Sequence, residues 1–165
     1  IVYSMNNSLQ ARFVGGTLPE RLDGFYKGTL EDFFPGNFLE FLGGVAARVW
    51  LPWYGKEFDR ETQRGNNIVP AYLRRFIVSR YGERAIVKQR NNRLHVFPFV
   101  TRFTKGLKDD MEVLQLDYNL PENPVRVRTV IDELVCVDKH SYLGKAYLHE
   151  GVDFRLAAFF RLKQS

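Results

Sequence analysis

The sequence has very little cysteine, since Cys136 is the single one. A disulfide within the chain is therefore impossible, which excludes the small secreted folds that disulfides hold together. The three histidines, His95, His140 and His149, are scattered along the chain. No cluster of cysteine and histidine with the spacing of a zinc site exists, so we expect neither a metal ion nor a cofactor.

Long apolar runs are also missing, because no stretch of about 20 residues is free of charged residues and helix breakers. The closest is 33–54, which contains Glu40, Arg48 and a Gly-Gly pair. We therefore predict no membrane span and expect a cytoplasmic protein, with a targeting segment removed before Ile1 as an open alternative. No glycine-rich phosphate loop, Gly-x-Ser-x-Gly elbow or His-Glu-x-x-His motif occurs, so nucleotide binding and the common hydrolase mechanisms have no support.

Hydrophobic residues, in contrast, are plentiful. They make up 45% of the 165 residues, which predicts one folded domain over 1–165. Aromatic residues reach 15%, with 14 Phe and 8 Tyr. This content is typical either of a large aromatic core or of a pocket lined by aromatic side chains.

Positive charge is concentrated in one region. Residues 60–93 contain nine Arg and Lys against two Glu, within a chain of net charge +5. Such a region can bind nucleic acid or an anionic membrane, but it is more often a solvated face. We expect a solvated face and no specific nucleic-acid binding, and binding through this region remains the third hypothesis.

The second half of the chain predicts a meander of six short strands, the first of them at 83–89, with links too short for helical crossovers, so the strands should pair in antiparallel order. Two further strands are expected at 22–30 and near 48–58, and helical spacing occurs in 38–50 and in 71–82, where Gly82 would end the helix. A strand remains the alternative for the second of these segments, since "FIVSRY" contains β-branched residues. About eight antiparallel strands predict a mainly β fold, an up-and-down barrel with one or two helices in its N-terminal half. A barrel of this size can hold one small ligand.

Alternation along the strands predicts which side chains face the interior. The apolar sets that run from Phe154 through Leu156 to Leu162 and from Leu114 through Tyr118 to Leu120 should face the interior. The same rule places Tyr142, Gly144, Ala146 and Leu148 inside. Lys145, Tyr147 and His149 should then face outward, together with Asp132. Small inner residues leave space, which either aromatic side chains or a ligand would fill.

Two ionisable residues fall among apolar sets that we expect to be internal, and they are the candidate acid and base. Glu133 belongs to the same set of every second residue as Ile131 and Val135, unless a bulge turns it outward. His95 begins the set that continues with Phe97 and Phe99. The ligand-binding wall is expected to combine the inward aromatic residues with a tryptophan at a mouth covered by 37–54. These residues are Tyr26, Trp53, Phe97, Phe99, Tyr118 and Tyr142.

The stretch "LDGFYKGTL" resembles the signature of the lipocalin and calycin barrels, in which Gly-x-Trp lies in the first strand. Tyr26 stands at the tryptophan position. Together with "WYGKEFD" at 53–59, the same stretch is similar to proteins with a Gly-x-Trp-x-Gly domain of unknown function. The resemblance implies a calycin-like barrel that binds a small apolar ligand, and it implies no catalytic residue.

Our first hypothesis is a barrel that binds a small hydrophobic or amphipathic molecule in its interior. The alternative is a cofactor-independent isomerase, cyclase or lyase that acts on such a molecule in the same cavity. Fold alone does not separate the two. The identity of the ligand and the oligomeric state do not follow from the sequence.

Overall fold

In the computed structural model, which describes residues 2–33 and 52–164, the chain is mainly β, as predicted. Two α-helices are described, α1 (Val2–Val14) and α2 (Arg74–Tyr81). The described strands are β1 (Gly24–Phe33), β2 (Gly55–Asp59), β3 (Arg64–Pro70), β4 (Ile86–Arg90), β5 (Arg93–Lys105), β6 (Glu112–Asp117), β7 (Val130–Asp138), β8 (Ser141–Glu150) and β9 (Asp153–Gln164).

Eight of these strands form a closed antiparallel barrel. The order is β3-β2-β1-β9-β8-β7-β6-β5, and pairing of β3 with β5 closes the circle. The ninth, β4, pairs with the N-terminal part of β5, at 93–96. We expected 83–89 to be a barrel strand and did not predict β3, whose sequence "RGNNIVP" is too polar to show strand alternation. Its position in the barrel is therefore a correction to the predicted strand list.

Two hydrophobic cores lie on opposite sides of the barrel wall. The larger one fills the interior and includes Leu116, Leu134 and Phe160. The smaller one lies on the outer surface, where Leu9 and Phe13 of α1 pack on apolar side chains of four strands. Those side chains are Val113, Val135, Leu143 and Phe159.

The helices agree only in part with the sequence pattern. The helix predicted in 71–82 is confirmed as α2, and it ends at Gly82, whose φ of 81° favours glycine. Helix α1 was not predicted. The helix expected in 38–50, and the cover expected from 37–54 as far as residue 51, lie outside the described residues. Among the described helices, none is long and apolar enough to cross a membrane.

Alternation correctly places Gly144 and Ala146 on the interior side of β8. Ala146 belongs to the interior core, and an added Cβ at Gly144 would lie 2.3 Å from the ring of Phe160. The register shifts between Ala146 and Tyr147, where β8 pairs with β9. Because of this bulge Leu156 packs against the outer core, so its predicted interior position is wrong.

The small interior residues do not leave an empty space where the structure describes their neighbours. The ring of Trp53 lies on Gly28, that of Phe99 on Gly65 and that of Phe160 on Gly144, each within 2.5 Å of where a Cβ would stand. These glycines therefore allow aromatic rings to approach the barrel wall closely.

Candidate functional site

A buried ion pair crosses the barrel interior. Lys56, on β2, and Asp132, on β7, approach to 2.9 Å between Nζ and Oδ2. Their side chains are 0% and 1% exposed. Lys56 alternates with the outward-facing Glu57, and its strand begins at Gly55, whose φ is 141°. An added Cβ at Gly55 would lie 2.0 Å from the carbonyl oxygen of Tyr26, so only glycine fits there.

Two neutral side chains complete this polar cluster, which we call the interior cluster: Lys56, Asn67, Tyr118 and Asp132. Lys56 Nζ donates to Asn67 Oδ1 at 2.9 Å and to the Tyr118 hydroxyl at 2.5 Å. That hydroxyl donates to Asp132 Oδ2 at 3.0 Å and accepts from Asn67 Nδ2 at 3.0 Å. One connected network thus joins strands on opposite sides of the barrel.

Aromatic rings surround the lysine. Nζ lies 5.2 Å from the ring centres of Tyr118 and Phe160, and 5.3 Å from those of Trp53 and Phe99. Faces of aromatic rings attract a cation, and this attraction is stronger where water is excluded. The interior cluster therefore places a charged or ionisable amine in an aromatic enclosure.

Burial changes the proton affinities in this cluster. It lowers the pKa of Lys56, and the carboxylate of Asp132 opposes that effect. Burial, reinforced by Asp132, raises the pKa of Tyr118 well above its ordinary value, so the phenol stays protonated. Removing two charges from water costs several kcal/mol for each ion, which makes such a pair a poor device for stability alone. Strongly perturbed groups of this kind are typical of functional sites.

One polar atom of the interior cluster lacks a partner among the described residues. Asp132 Oδ1 is buried and has no hydrogen bond, while Oδ2 has two close partners. A buried oxygen of this kind is a ready acceptor for a water molecule or a ligand. The backbone nearby is also unusual, because Phe97 has a φ of 50° and its carbonyl accepts from Asn67 Nδ2 at 3.3 Å. Such strained positions concentrate at functional sites.

Trp53 connects the interior cluster to the surface. Its ring lies edge-on to Phe160 with centres 5.7 Å apart, yet the residue remains partly exposed. It also lines a surface hollow of about 320 Å³. The other residues around the hollow are Phe25, Lys27, Gly28, Tyr54 and Arg93. The position of Trp53 at a mouth covered by 37–54 stays a prediction, because that segment lies outside the described residues as far as residue 51.

Most of the predicted ligand-binding residues lie together in the interior core. Tyr26 meets Tyr142 at 5.6 Å between ring centres, and Phe99 meets Tyr118 at 5.3 Å. Phe58, which we did not predict, contacts both Tyr26 and Phe99 at 5.4 Å. Phe97 also belongs to the interior core, and its ring packs edge-on against that of Tyr81, on α2, at 5.4 Å between ring centres.

Glu133 does not line the barrel interior, which corrects our expectation. It shares the outer face of β7 with Ile131 and Val135, and its position is buried because α1 and the loop 106–111 cover that face. Oε1 accepts the backbone N–H of Leu107 at 2.6 Å. The apolar set on β7 was therefore identified correctly but assigned to the wrong face.

A second polar cluster, the outer cluster, surrounds Glu133. It consists of Asp109, Glu133, Lys145 and Tyr147. Lys145 pairs with Asp109 at 2.5 Å, and its Nζ lies 4.2 Å from the ring centre of Phe13. Lys145 and Tyr147 do occupy the outer face, as expected, but they are only 1% and 2% exposed. Burial raises the pKa of Glu133 above its ordinary value.

His95 also faces away from the interior cluster. The residues beside it on β5, Leu94 and Val96, belong to the interior core, so His95 points outward toward Glu57 on β2. Its Nδ1 lies 3.9 Å from Glu57 Oε1, and burial lowers its pKa. The positive φ at Phe97 interrupts the alternation along β5. The prediction that His95, Phe97 and Phe99 form one inner set is therefore wrong for His95.

Sequence reasoning missed three of the four members of the interior cluster. Only Tyr118 was expected inside, whereas Asp132 was placed on the outer face, and Lys56 and Asn67 were given no interior role. Lys56 and Glu57 are both charged, so alternation of apolar and polar residues does not show which of the two faces the interior. Among the described residues, no group of three His, Cys, Asp or Glu side chains is arranged to hold a metal ion.

Comparison with known proteins adds only the fold. No protein-family model and no curated protein matches the chain. A solved structure, that of a protein from Thermomonospora curvata, aligns with a TM-score of 0.55 at 12% sequence identity. The alignment covers 96% of this chain and 86% of the other. The closed eight-stranded antiparallel barrel is therefore established, and membership of the lipocalin or calycin family is not.

Proposed function

We propose that the barrel binds a small amphipathic molecule, whose polar end meets the interior cluster and whose apolar part packs among the interior aromatic rings. The observation that carries this proposal is the unpartnered Asp132 Oδ1 beside a wholly buried ion pair. A hydroxyl or amide group of the ligand would donate a hydrogen bond to that oxygen, and a carbonyl group would accept one from it when Asp132 is protonated. An eight-stranded barrel is wide enough for one such molecule once the aromatic rings that lie on its interior glycines move aside.

The surroundings of Trp53 support entry of the ligand from the surface hollow beside this residue. Its ring contributes both to the surface hollow and to the enclosure of Lys56. The hollow combines the rings of Phe25 and Tyr54 with the cation of Arg93, whose guanidinium lies 4.5 Å from the Phe25 ring centre. Apolar surface with a few polar groups is typical of small-molecule sites.

Native mass spectrometry of protein purified from its own host tests the proposal, because it detects any bound small molecule by its mass. We expect a co-purifying molecule with an apolar body and a polar group that can donate a hydrogen bond to the Asp132 carboxylate or accept one from its protonated form. A titration with 1-decanol, followed by tryptophan fluorescence, then locates the site by two matched variants. Tyr118→Phe should weaken binding about tenfold, because it disturbs the network that holds Asp132.

Tyr147→Phe is the control for that titration. Tyr147 is equally buried, at 2% exposed against 1% for Tyr118, but it belongs to the outer cluster. This variant should bind 1-decanol as the parent does. Equal weakening by both variants, or weakening by Tyr147→Phe alone, would contradict an interior site.

The second candidate is a cofactor-independent isomerase, cyclase or lyase, and the hydrogen-bonded chain of Lys56, Tyr118 and Asp132 favours it. These groups can pass protons directly to one another, as acid–base catalysis requires. Incubation of the co-purified molecule with fresh protein, followed by mass spectrometry and NMR of the products, tests this candidate. A catalyst converts the molecule, and Tyr118→Phe should slow that conversion about 10²-fold.

A further inference from the structure

We propose that Lys56 is an imine-forming amine and that the molecule bound in the barrel interior is an aldehyde or a ketone. This inference rests on the proposed function, since the carbonyl compound must first occupy the interior. It goes further because it names the reactive atom, Lys56 Nζ, and the chemical class of the ligand. The ligand would then be held by a covalent bond in addition to packing.

The position of Lys56 separates it from the other lysines of the chain. Its Nζ is wholly buried among four aromatic rings, and its counterion Asp132 is equally buried. Exposed lysines have a pKa near 10.4, so almost none of their amine is free to react at neutral pH. Burial lowers the pKa of Lys56, which increases the share of the nucleophilic free amine.

Lys145 shows what distinguishes a reactive setting from a structural one. It is also buried and paired with an aspartate, Asp109. Its partner remains 16% exposed, and it lies under α1 on the outer face, away from the interior. Lys56 alone of the two has a counterion with a buried unpartnered oxygen, Asp132 Oδ1, which can donate a hydrogen bond to a carbonyl oxygen once Asp132 has taken the proton of Lys56.

The existing contacts supply every proton that the reaction needs. The ammonium of Lys56 transfers a proton to Asp132 across the 2.9 Å contact. The free amine attacks the carbonyl carbon, and the carbonyl oxygen takes the proton from Asp132. Asp132 then removes a proton from the nitrogen and delivers it to the hydroxyl, which leaves as water. The product is a positively charged imine beside the Asp132 carboxylate, so the net charge of the pair is unchanged.

Trapping with decanal and sodium cyanoborohydride at pH 7 tests the inference on the unmodified full chain. The reductant adds hydride to an imine carbon and makes the bond permanent. The protein then gains the mass of decanal less one oxygen atom, and peptide mapping identifies the lysine. We expect labelling of Lys56 to exceed that of Lys27, the lysine that lines the surface hollow, by about tenfold or more.

1-Decanol serves as the matched probe without a carbonyl. Lys56 labelled in preference to Lys27, with 1-decanol slowing the labelling by competition, supports the inference. Labelling confined to Lys27 or to other exposed lysines overturns it. Decanal that binds, as judged by tryptophan fluorescence, but leaves Lys56 unlabelled also overturns it while leaving the proposed function in place. Failure of both compounds to bind contradicts the proposed function and the inference together.

Two variants confirm the reacting atom. Lys56→Met combined with Asp132→Asn removes the amine without leaving a lone buried charge, and it should abolish the specific label. Lys145→Met should retain that label. Cooperative thermal unfolding of both proteins excludes misfolding as the cause. Persistence of the label after loss of Lys56 would overturn the inference.

Discussion

At the scale of single residues, the interior cluster behaves as one unit, because each side chain supplies a hydrogen-bond or ion-pair partner to another. Asp132 depends on Lys56 and Tyr118 for the partners of Oδ2, and Asn67 orients both the lysine and the phenol. Removing one charge leaves the other buried and unpaired in an interior that solvates charges poorly. The stability of the barrel is therefore tied to the same groups that we assign to binding.

The lone substitution Lys56→Met should be strongly destabilising. It leaves the 1% exposed Asp132 without its counterion, and breaking a buried pair in this way costs about 3–5 kcal/mol. Urea denaturation measures the loss in the free energy of unfolding. Adding Asp132→Asn to the same chain should recover most of it, because no unpaired charge remains. If Lys56→Met alone were as stable as the parent, water would have to reach Asp132, which would contradict the burial of the pair.

The outer cluster gives a prediction about pH. Burial raises the folded-state pKa of Glu133 above its ordinary 4.5, so its contribution to stability is full below about that pH and is lost as the pH rises through the folded-state value. Glu133→Gln removes this titration and can still accept the N–H of Leu107. The variant should therefore gain stability relative to the parent as the pH rises from 4 to 7.

Thermal unfolding of both proteins across that pH range measures the effect. The slope is limited to about 1.4 kcal/mol for each pH unit between the two pKa values. Glu112→Gln, at an exposed glutamate that begins β6, is the control. A constant difference between Glu133→Gln and the parent would mean that Lys145 fully compensates the burial of the carboxylate.

At the scale of elements, helix α1 determines which ionisable side chains are buried outside the barrel. Phe13 is 0% exposed against the outer core, whereas Val14, the next residue, is 52% exposed. Phe13→Ala should lower the free energy of unfolding by about 3–5 kcal/mol, because it opens a cavity over four strands. Val14→Ala on the same helix should change it by about 0.5 kcal/mol or less. Chemical denaturation of both variants compares them, and similar values would contradict the packing of α1.

The same helix explains how far the sequence could predict the structure. Alternation identifies barrel strands well, and it places Gly144, Ala146, Leu114 and Tyr118 correctly inside. The rule assumes that apolar side chains face the interior and polar ones face water. On β7 the assumption fails, because α1 covers the apolar outer face and the interior holds Asp132.

The interior cluster could not be found from local sequence for a related reason. Lys56 and Asp132 are far apart in the chain, and their pairing depends on closure of the barrel by β3 and β5. That closure was not predicted, since β3 lacks an apolar pattern. The aromatic residues were easier to predict because any aromatic side chain on an inner face joins the core.

At the scale of the whole molecule, the barrel wall separates two buried polar clusters with different surroundings. The outer cluster lies under a helix and a loop, and its Asp109 remains in partial contact with solvent. The interior cluster lies among aromatic rings, and one partly exposed ring, Trp53, links its enclosure to a surface hollow. This difference is the reason for assigning ligand binding to the interior and a structural role to the outer cluster.

Side-chain ¹⁵N–¹H NMR of the lysines during a titration with 1-decanol tests that assignment most directly. The buried Lys56 and Lys145 are both shielded from solvent, so each reports on its own cluster in the same spectrum. We predict that the Lys56 signal shifts in a saturable way as the hydroxyl reaches Asp132, while the Lys145 signal stays in place. A saturable shift of Lys145 alone, or bound 1-decanol that leaves Lys56 unchanged, would contradict a binding site in the barrel interior.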